Sequence, residues 1–254
     1  MKKQNLVALN MIFFVAMVAV NYISNTGLIG GNTMKSISDR YKNLFTPASY
    51  AFSIWGVIYL LVLGFIIYSF TLVKKEIESE FISRVGFWFM LSCVANSLWV
   101  FAWLNDLIAL SVLMMIFLLI TLVNIILKVH SIERKTRFFL QWPFSLYAGW
   151  VSVALIANTA AFLTKLQWNG FGLSESAWAI IMIAVAGLLN SVIVLRKNLA
   201  AFALAGTWAL LAVAMANREV HQPVFMAAIG SAVFVSICII VNLLGKQKKG
   251  GTTR

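Results

Sequence analysis

Aromatic rings and side-chain amides are the groups in this sequence that could recognise a ligand, and they recur at helical spacing in three apolar runs. The three stripes are Phe52, Trp55 and Tyr59; Asn96, Trp99 and Trp103; and Tyr147, Trp150, Ala154 and Asn158. Residues three, four and seven positions apart lie on one face of an α-helix. Such a stripe is typical of helix–helix packing with interhelical asparagine hydrogen bonds, or of a pocket for a flat, largely apolar ligand. Spacing alone leaves both interpretations open.

Groups for acid–base, nucleophilic or metal chemistry are missing from the interior of the apolar runs. No Asp, Glu, Lys, Arg or His lies in the middle third of any run. Proton-coupled carriers, ion pumps, voltage sensors and retinal pigments need such groups at that depth, so these classes are excluded. The sequence also has no nucleophile–base pair, no glycine-rich phosphate loop and no metal-ligand cluster. We therefore predict no catalytic residue, no metal ligand and no cofactor, and we do not predict an enzyme.

The elements that carry the stripes are predicted to be transmembrane helices. Of the 254 residues, 61% are hydrophobic and 11% are charged, and the mean hydropathy is +0.91. Soluble proteins are more polar than this, so a lipid bilayer must cover the remaining apolar surface. We predict an all-α integral membrane protein, a bundle of about eight transmembrane helices. Uncharged apolar runs long enough to cross a bilayer cover about residues 5–24, 48–72, 85–104, 107–127, 138–164, 176–195, 198–216 and 222–244.

The net charge of +12 is explained by the positions of the basic residues rather than by a nucleic-acid partner. With eight spans and both termini on one side, that side holds 15 of the 20 Lys and Arg residues and the other side holds 5. Cytoplasmic loops of membrane proteins carry such an excess of basic residues. The sequence therefore predicts a multi-pass protein of the plasma membrane with both termini in the cytoplasm and no nucleic-acid partner.

The longest connection, residues 25–47, joins the first two spans and lies on the exoplasmic side in this topology. It contains Gly27, Gly30 and Gly31 and ends at Pro47. Long loops between packed helices often have a function. The loop is either a lid over a cavity or a plain connector, and the sequence does not distinguish the two.

Three sequence elements resemble the TspO/MBR family, the tryptophan-rich sensory protein and translocator protein family. Residues 45–59 read Phe-Thr-Pro-Ala-Ser-Tyr-Ala-Phe-Ser-Ile-Trp-Gly-Val-Ile-Tyr and resemble the signature of the family's second helix. Asn96-Ser97-Leu98-Trp99 is similar to its third-helix Leu-Asn-x-x-Trp element, and residues 143–147 are similar to the Pro-Tyr-x-x-Trp opening of its fifth helix. The resemblance covers about residues 1–165, with the order and spacing of the elements kept.

The sequence departs from the family pattern at several positions. Ser53 stands where the family usually has proline, Tyr147 replaces a tryptophan, and Asn158 lies three positions beyond the family's asparagine. The family core has five helices, whereas this chain adds three. We therefore expect a TspO/MBR-like core over residues 1–165, three additional helices over 166–245 and a basic cytoplasmic tail over 246–254.

The resemblance implies a five-helix bundle with a cavity covered by the loop between the first two helices. Members bind porphyrins and other hydrophobic ligands and are often homodimers. On this basis, the leading hypothesis is a ligand-binding or sensory membrane protein with a Trp- and Asn-lined pocket for a planar ligand such as a porphyrin. The alternative is a permease-like carrier of a neutral or hydrophobic small molecule. A through-channel lined by Asn190, Thr207 and Asn242 would favour the carrier.

Overall fold

The structure is a computed structural model that describes residues 2–74, 79–130 and 134–250, and all secondary structure within these ranges is helical. Residues 251–254 of the predicted basic tail lie outside the described residues. The α-helices are α1 (Lys3–Ile23), α2 (Met34–Arg40), α3 (Ile54–Leu72), α4 (Glu80–Leu104), α5 (Ile108–His130), α6 (Arg134–Lys165), α7 (Glu175–Lys197), α8 (Ala200–Asn217) and α9 (Gln222–Gly250). Two short 3-10 helices cover Ser49–Ser53 and Gly170–Gly172.

The prediction of eight transmembrane helices is confirmed by the length and apolar composition of the helices in the described ranges. Eight of them, α1 and α3 to α9, are long and apolar enough to cross a bilayer. The 3-10 helix that precedes α3 extends the second span to Ser49–Leu72. The exception is α2, a seven-residue helix within the loop 25–47.

Local sequence signals explain where several helices begin and end. The Ser174 hydroxyl accepts a hydrogen bond from the Ala177 N–H, which caps the start of α7. Asn198 adopts a left-handed conformation, with φ of 59°, and ends the same helix. Asp106, with φ of 60°, forms the tight turn between α4 and α5. In α2, Thr33 and Ser36 form a reciprocal capping box.

The chain folds into two compact units. The first unit comprises Met1–Tyr41 and Trp55–Phe144, and the second comprises Lys42–Ile54 and Ser145–Arg254. The sixth helix of the chain, α6, therefore begins in the first unit and continues into the second. The division predicted from the sequence, with a TspO/MBR-like core over residues 1–165 and three additional helices over 166–245, stays a prediction.

In the first unit, α4 packs against both α1 and α5, and phenylalanines of α3, α4 and α6 form a core. The Phe65 ring lies 4.8 Å from the Phe144 ring and 5.9 Å from the Phe89 ring, measured between centroids. Gly86 allows α1 to approach α4, because a Cβ atom at this position would lie 2.6 Å from the Leu6 side chain. This core positions α3 and α4, which carry the predicted site residues of this unit, and Gly86 brings α1 against α4.

In the second unit, α8 is the most buried span and packs through small residues. In its 18-residue apolar stretch, 72% of the residues are buried. A Cβ atom added to Gly149 of α6 would lie 2.2 Å from the Phe202 carbonyl oxygen of α8, and one added to Gly206 would lie 2.2 Å from Asn190 of α7. Close packing through glycine and alanine is how helices associate in lipid, where burial of apolar surface gives little driving force.

Candidate ligand-binding site

The nine residues predicted to bind ligand are divided between the two units. The first unit holds Trp55, Tyr59, Asn96, Trp99 and Trp103, and the second holds Phe52, Tyr147, Trp150 and Asn158. In the first unit, the structure brings residues of the second-span and third-span stripes into contact. Their roles in binding stay a prediction.

An aromatic cluster, defined by Phe14, Trp55, Tyr59 and Trp99, forms where α1, α3 and α4 meet in the first unit. The Trp55 ring stacks on Tyr59 at 5.7 Å between centroids and on Trp99 at 6.0 Å, with interplanar angles of 26° and 29°. Phe14 contacts the Tyr59 ring edge-on at 6.5 Å. Trp55 and Tyr59 are half-buried, whereas Trp99 is buried. The cluster is therefore a near-parallel stack of three rings within the apolar depth of the bundle.

Two asparagines lie on the same helix faces as the cluster. Asn96 is fully buried on α4, three residues before Trp99, and its side-chain oxygen accepts a hydrogen bond from the Asn21 amide of α1 at 2.6 Å. The Asn21 amide also donates to the Met17 carbonyl at 2.9 Å. Asn96 therefore makes the interhelical contact that the packing interpretation expects, on the face that carries the indole of Trp99, and its predicted role in ligand binding stays a prediction.

Buried polar atoms beside the stack have no hydrogen-bond partner among the residues that the structure describes. They are the Tyr59 hydroxyl, the Trp99 indole N–H and the side-chain oxygen of Asn10 on α1. A buried donor without a partner costs about 1–3 kcal/mol. Two of these atoms can donate a hydrogen bond to a ligand acceptor, and the adjacent rings can stack on a flat apolar body. The cluster therefore combines aromatic ring surfaces with two hydrogen-bond donors that have no partner among the described residues.

The other predicted residue of this unit, Trp103, contacts the loop rather than the cluster. Its indole N–H donates to the Met34 carbonyl at the start of α2, at 3.4 Å. The loop has two more attachments near the end of α4: the Asn32 amide donates to the Leu104 carbonyl, and the Tyr41 hydroxyl donates to Asp106 at 2.8 Å. The first-unit part of loop 25–47 thus contains a short helix that side-chain contacts attach to the end of α4, and its role as a lid or a connector stays a prediction.

The predicted residues of the second unit are largely buried within it. Phe52 contacts the Trp150 ring edge-on, at 6.4 Å between centroids. Tyr147, Trp150 and Asn158 of α6 expose between 1% and 3% of their surface. The segment around Phe52 is fixed by α8, because the Trp208 indole donates to the Ala51 carbonyl at 3.1 Å.

The contribution of α1 to the cluster was not predicted from the sequence. Asn10, Phe14, Met17 and Asn21 are spaced i, i+4, i+7 and i+11 and lie on one face of this helix. All but Asn21 are buried. The signal was present, because two asparagines and an aromatic recur at the spacing that identified the other stripes. It was weak because the first apolar run contains no tryptophan.

The polar residues that would line a channel in a carrier take part in helix packing. Asn190 is fully buried, and its amide donates to the Ala186 carbonyl of its own helix. The Thr207 hydroxyl donates to the Ala203 carbonyl, and the Asn242 amide donates to Val194 and Asn198 of α7. Among the described residues, no group of three or more His, Cys, Asp or Glu side chains could hold a metal ion.

Comparison with known families gives one match that covers nearly the whole chain. The family model described as TSPO-like protein matches residues 7–241. The matched range continues beyond residue 165, where the motif resemblance ends, and includes the last three spans. No curated protein and no solved structure matches the chain. The family match and the eight apolar helices identify a multi-pass integral membrane protein, and the family suggests ligand binding or sensing.

Proposed function

The chain belongs to the TSPO-like protein family, and on this premise we propose that it binds or senses a hydrophobic planar ligand such as a porphyrin. The observation that carries the proposal is the aromatic cluster with its two unpartnered donors, the Tyr59 hydroxyl and the Trp99 indole N–H. The ligand body stacks on the indoles, and its carboxylate or carbonyl edge accepts from the two donors.

The strength of each contact can be bounded. An aromatic contact contributes about 0.5–1.5 kcal/mol beyond the burial of its area. A hydrogen bond contributes a similar net amount, about 0.5–1.5 kcal/mol, which is roughly a 2- to 10-fold change in affinity. The proposed ligand makes both kinds of contact at Trp99, so its indole N–H is the atom whose removal should weaken binding while an aromatic ring is kept.

The experiment is a titration of the purified protein in detergent with protoporphyrin, followed by the absorbance of the porphyrin. This signal does not depend on the number of tryptophans. Trp99→Phe keeps an aromatic ring but removes the N–H donor, so we expect the Kd to rise roughly 2- to 10-fold.

Trp88→Phe is the matched control, because Trp88 lies on the same helix and contacts Phe87 rather than the cluster. Its Kd should equal that of the unaltered protein. Equal Kd values for both variants, with both proteins folded, would mean that Trp99 only packs helices and that the proposal is wrong.

The carrier hypothesis receives less support. It requires Asn190, Thr207 and Asn242 to face a shared channel, whereas their donors bond to helix backbone or, for Asn242, also to Asn198. We therefore propose binding rather than translocation as the primary activity.

We also propose that the protein resides in the plasma membrane with both termini in the cytoplasm, because 15 of the 20 basic residues then lie on the cytoplasmic side. Single cysteines at Ser36 and Gly250 test this orientation by labelling with an impermeant thiol reagent in whole cells. We expect only the Ser36→Cys protein to be labelled from outside. Labelling of both would contradict the topology.

A further inference from the structure

A cavity lies within the second unit, between α6 and α7. Its volume is about 750 Å³, within the range of roughly 300–1,000 Å³ that is typical of small-molecule sites. Its walls are formed by the C-terminal half of α6, the connection around Gly170, the first turns of α7 and a segment of four residues, 42–45, which we call the strap. All of these elements belong to one unit.

The strap is fixed over the cavity by hydrogen bonds to distant parts of the chain. The backbone N–H of Leu44 donates to the Glu175 carboxylate at 3.2 Å, and the Leu44 carbonyl accepts from the Asn217 amide at 2.9 Å. A local turn closes the strap, because the Phe45 N–H donates to the Asn43 side-chain oxygen at 2.9 Å. The Phe45 side chain is fully buried. Side chains of α7 and α8 therefore hold this wall of the cavity in place.

The opposite walls combine an apolar body with an indole surface. Leu155, Ile156 and Met182 supply aliphatic side chains. Trp168 and Trp178 lie 4.9 Å apart between ring centroids. The Trp178 indole donates to the Gly170 carbonyl at 2.7 Å, and this bond orients the ring along the cavity wall.

The charged groups at the cavity are Lys42 and Glu175. They differ in whether another residue already bonds to them. The Glu175 carboxylate accepts the Leu44 N–H. Lys42 is exposed and forms no ion pair with another residue that the structure describes. The ammonium group is therefore the one available for a charged ligand, and it selects for a negative charge beside an otherwise apolar cavity.

We propose that this cavity binds one amphiphile, with its apolar body against α6 and α7 and its anionic group beside Lys42. The site is distinct from the aromatic cluster, and the inference does not rest on the proposed function. A free fatty acid and an anionic bilayer lipid share this chemistry, so the test must separate them.

The test uses the full-length protein in phosphatidylcholine vesicles and three photoreactive probes that carry a diazirine on the alkyl chain. The probes are a long-chain fatty acid, the corresponding neutral alcohol and a phosphatidylglycerol. Crosslinked peptides are identified by mass spectrometry. We expect saturable labelling of the α6 and α7 peptides that line the cavity, by the fatty acid or the phosphatidylglycerol, with excess unlabelled anion competing and the alcohol labelling less.

Saturable labelling by the fatty acid probe indicates that the amphiphile is a free acid, and saturable labelling by the phosphatidylglycerol probe indicates a bilayer lipid. Either result supports the proposal. Labelling that excess anion does not reduce, or equal labelling by the neutral alcohol, overturns it. These comparisons use the unaltered protein, so they hold even if a variant fails to fold.

Variants locate the two ends of the ligand. Lys42→Ala should reduce labelling by the anionic probe about 2- to 5-fold, as expected for the loss of one exposed charge pair, whereas Lys35→Ala in the same loop should not. Thr159→Trp places a bulky ring in the cavity and should reduce labelling of its walls. Its control is Leu188→Trp, which adds the same side chain at an exposed position of α7 outside the cavity. Unchanged labelling in both Lys42→Ala and Thr159→Trp contradicts the assignment.

Discussion

Asparagines are buried in both units, but their surroundings differ. In the first unit, Asn96 bonds to Asn21 of another helix, beside a stack of aromatic rings with unpartnered donors. In the second unit, Asn190 fits against Gly206 and donates to its own helix backbone, and Asn217 donates to Leu44. The first arrangement lies beside large ring surfaces, whereas the second lies among small residues, and the Asn190 side-chain oxygen is likewise without a partner among the described residues.

This difference separates two uses of a polar residue in a membrane helix. Where glycine and alanine surround an asparagine, backbones approach closely and the amide joins helices. Where rings surround it, as at Asn96, the amide also joins two helices, and donors without a partner among the described residues lie beside the rings. Trp-rich stripes alone did not distinguish these cases, since packing and a pocket have the same helical spacing.

The largest expected effect tests the close packing of the second unit. Gly149→Ala places a Cβ atom against the Phe202 backbone, which cannot move aside as a side chain can. We expect the free energy of unfolding to fall by about 1–3 kcal/mol, as for other overpacked cores, measured as a lower Tm in detergent.

Two glycine controls sharpen the contrast between the units. Gly230→Ala, where an added Cβ meets nothing within 4 Å, should leave the Tm unchanged or slightly raised. Gly86→Ala in the first unit meets only the Leu6 side chain and should cost less than Gly149→Ala. Equal losses for all three variants would contradict the account of α8 packing.

The next effect concerns the Asn21–Asn96 bond in the first unit. A double-mutant cycle with Asn21→Ala and Asn96→Ala should give a coupling energy of about 0.6 kcal/mol and at most about 1.7 kcal/mol, the average and the maximum for interhelical hydrogen bonds in a membrane protein. Thermal unfolding of the four proteins measures it. Additive losses would mean that the two amides act independently and that α1 does not help to hold the face of the aromatic cluster.

A smaller effect concerns the attachment of the loop. Tyr41→Phe removes the hydroxyl that bonds to Asp106, at a cost of about 0.5–1.5 kcal/mol. Hydrogen exchange of the α2 amides should accelerate, with the transmembrane helices unaffected. Lys35→Ala is the control, because its exposed ion pair with Asp39 lies within α2 and does not attach the loop. If the control accelerates exchange as much as Tyr41→Phe, the Asp106 contact does not fasten the loop.

The eight spans were predictable because length and apolarity are local properties of the sequence. The short helix α2 was not predicted, because seven residues are too few to show helical periodicity. Stripes predicted which residues share a face, and this was enough to identify Trp55, Tyr59 and Trp99 as candidates.

Contacts between distant parts of the chain could not be predicted in the same way. Leu44 bonds to Glu175 and Asn217, which are 131 and 173 positions away. The strap uses its backbone for these bonds, so no side-chain pattern at Leu44 signals them. The contribution of Phe14 and Asn21 depends on which face of α1 meets α4, and this is set by packing at Gly86.

Tyr59→Phe is the most direct test of whether the aromatic cluster binds a planar ligand. The hydroxyl is buried and has no partner among the described residues, so its removal should leave the Tm of the free protein unchanged or raised. The same change should weaken protoporphyrin binding roughly 2- to 10-fold, because a donor to the ligand is lost. Measured on one preparation, Tyr59→Phe should therefore lower the affinity for protoporphyrin without lowering the Tm. A lower Tm with unchanged affinity would contradict the account, because it would mean that the hydroxyl serves packing and that the ligand binds elsewhere.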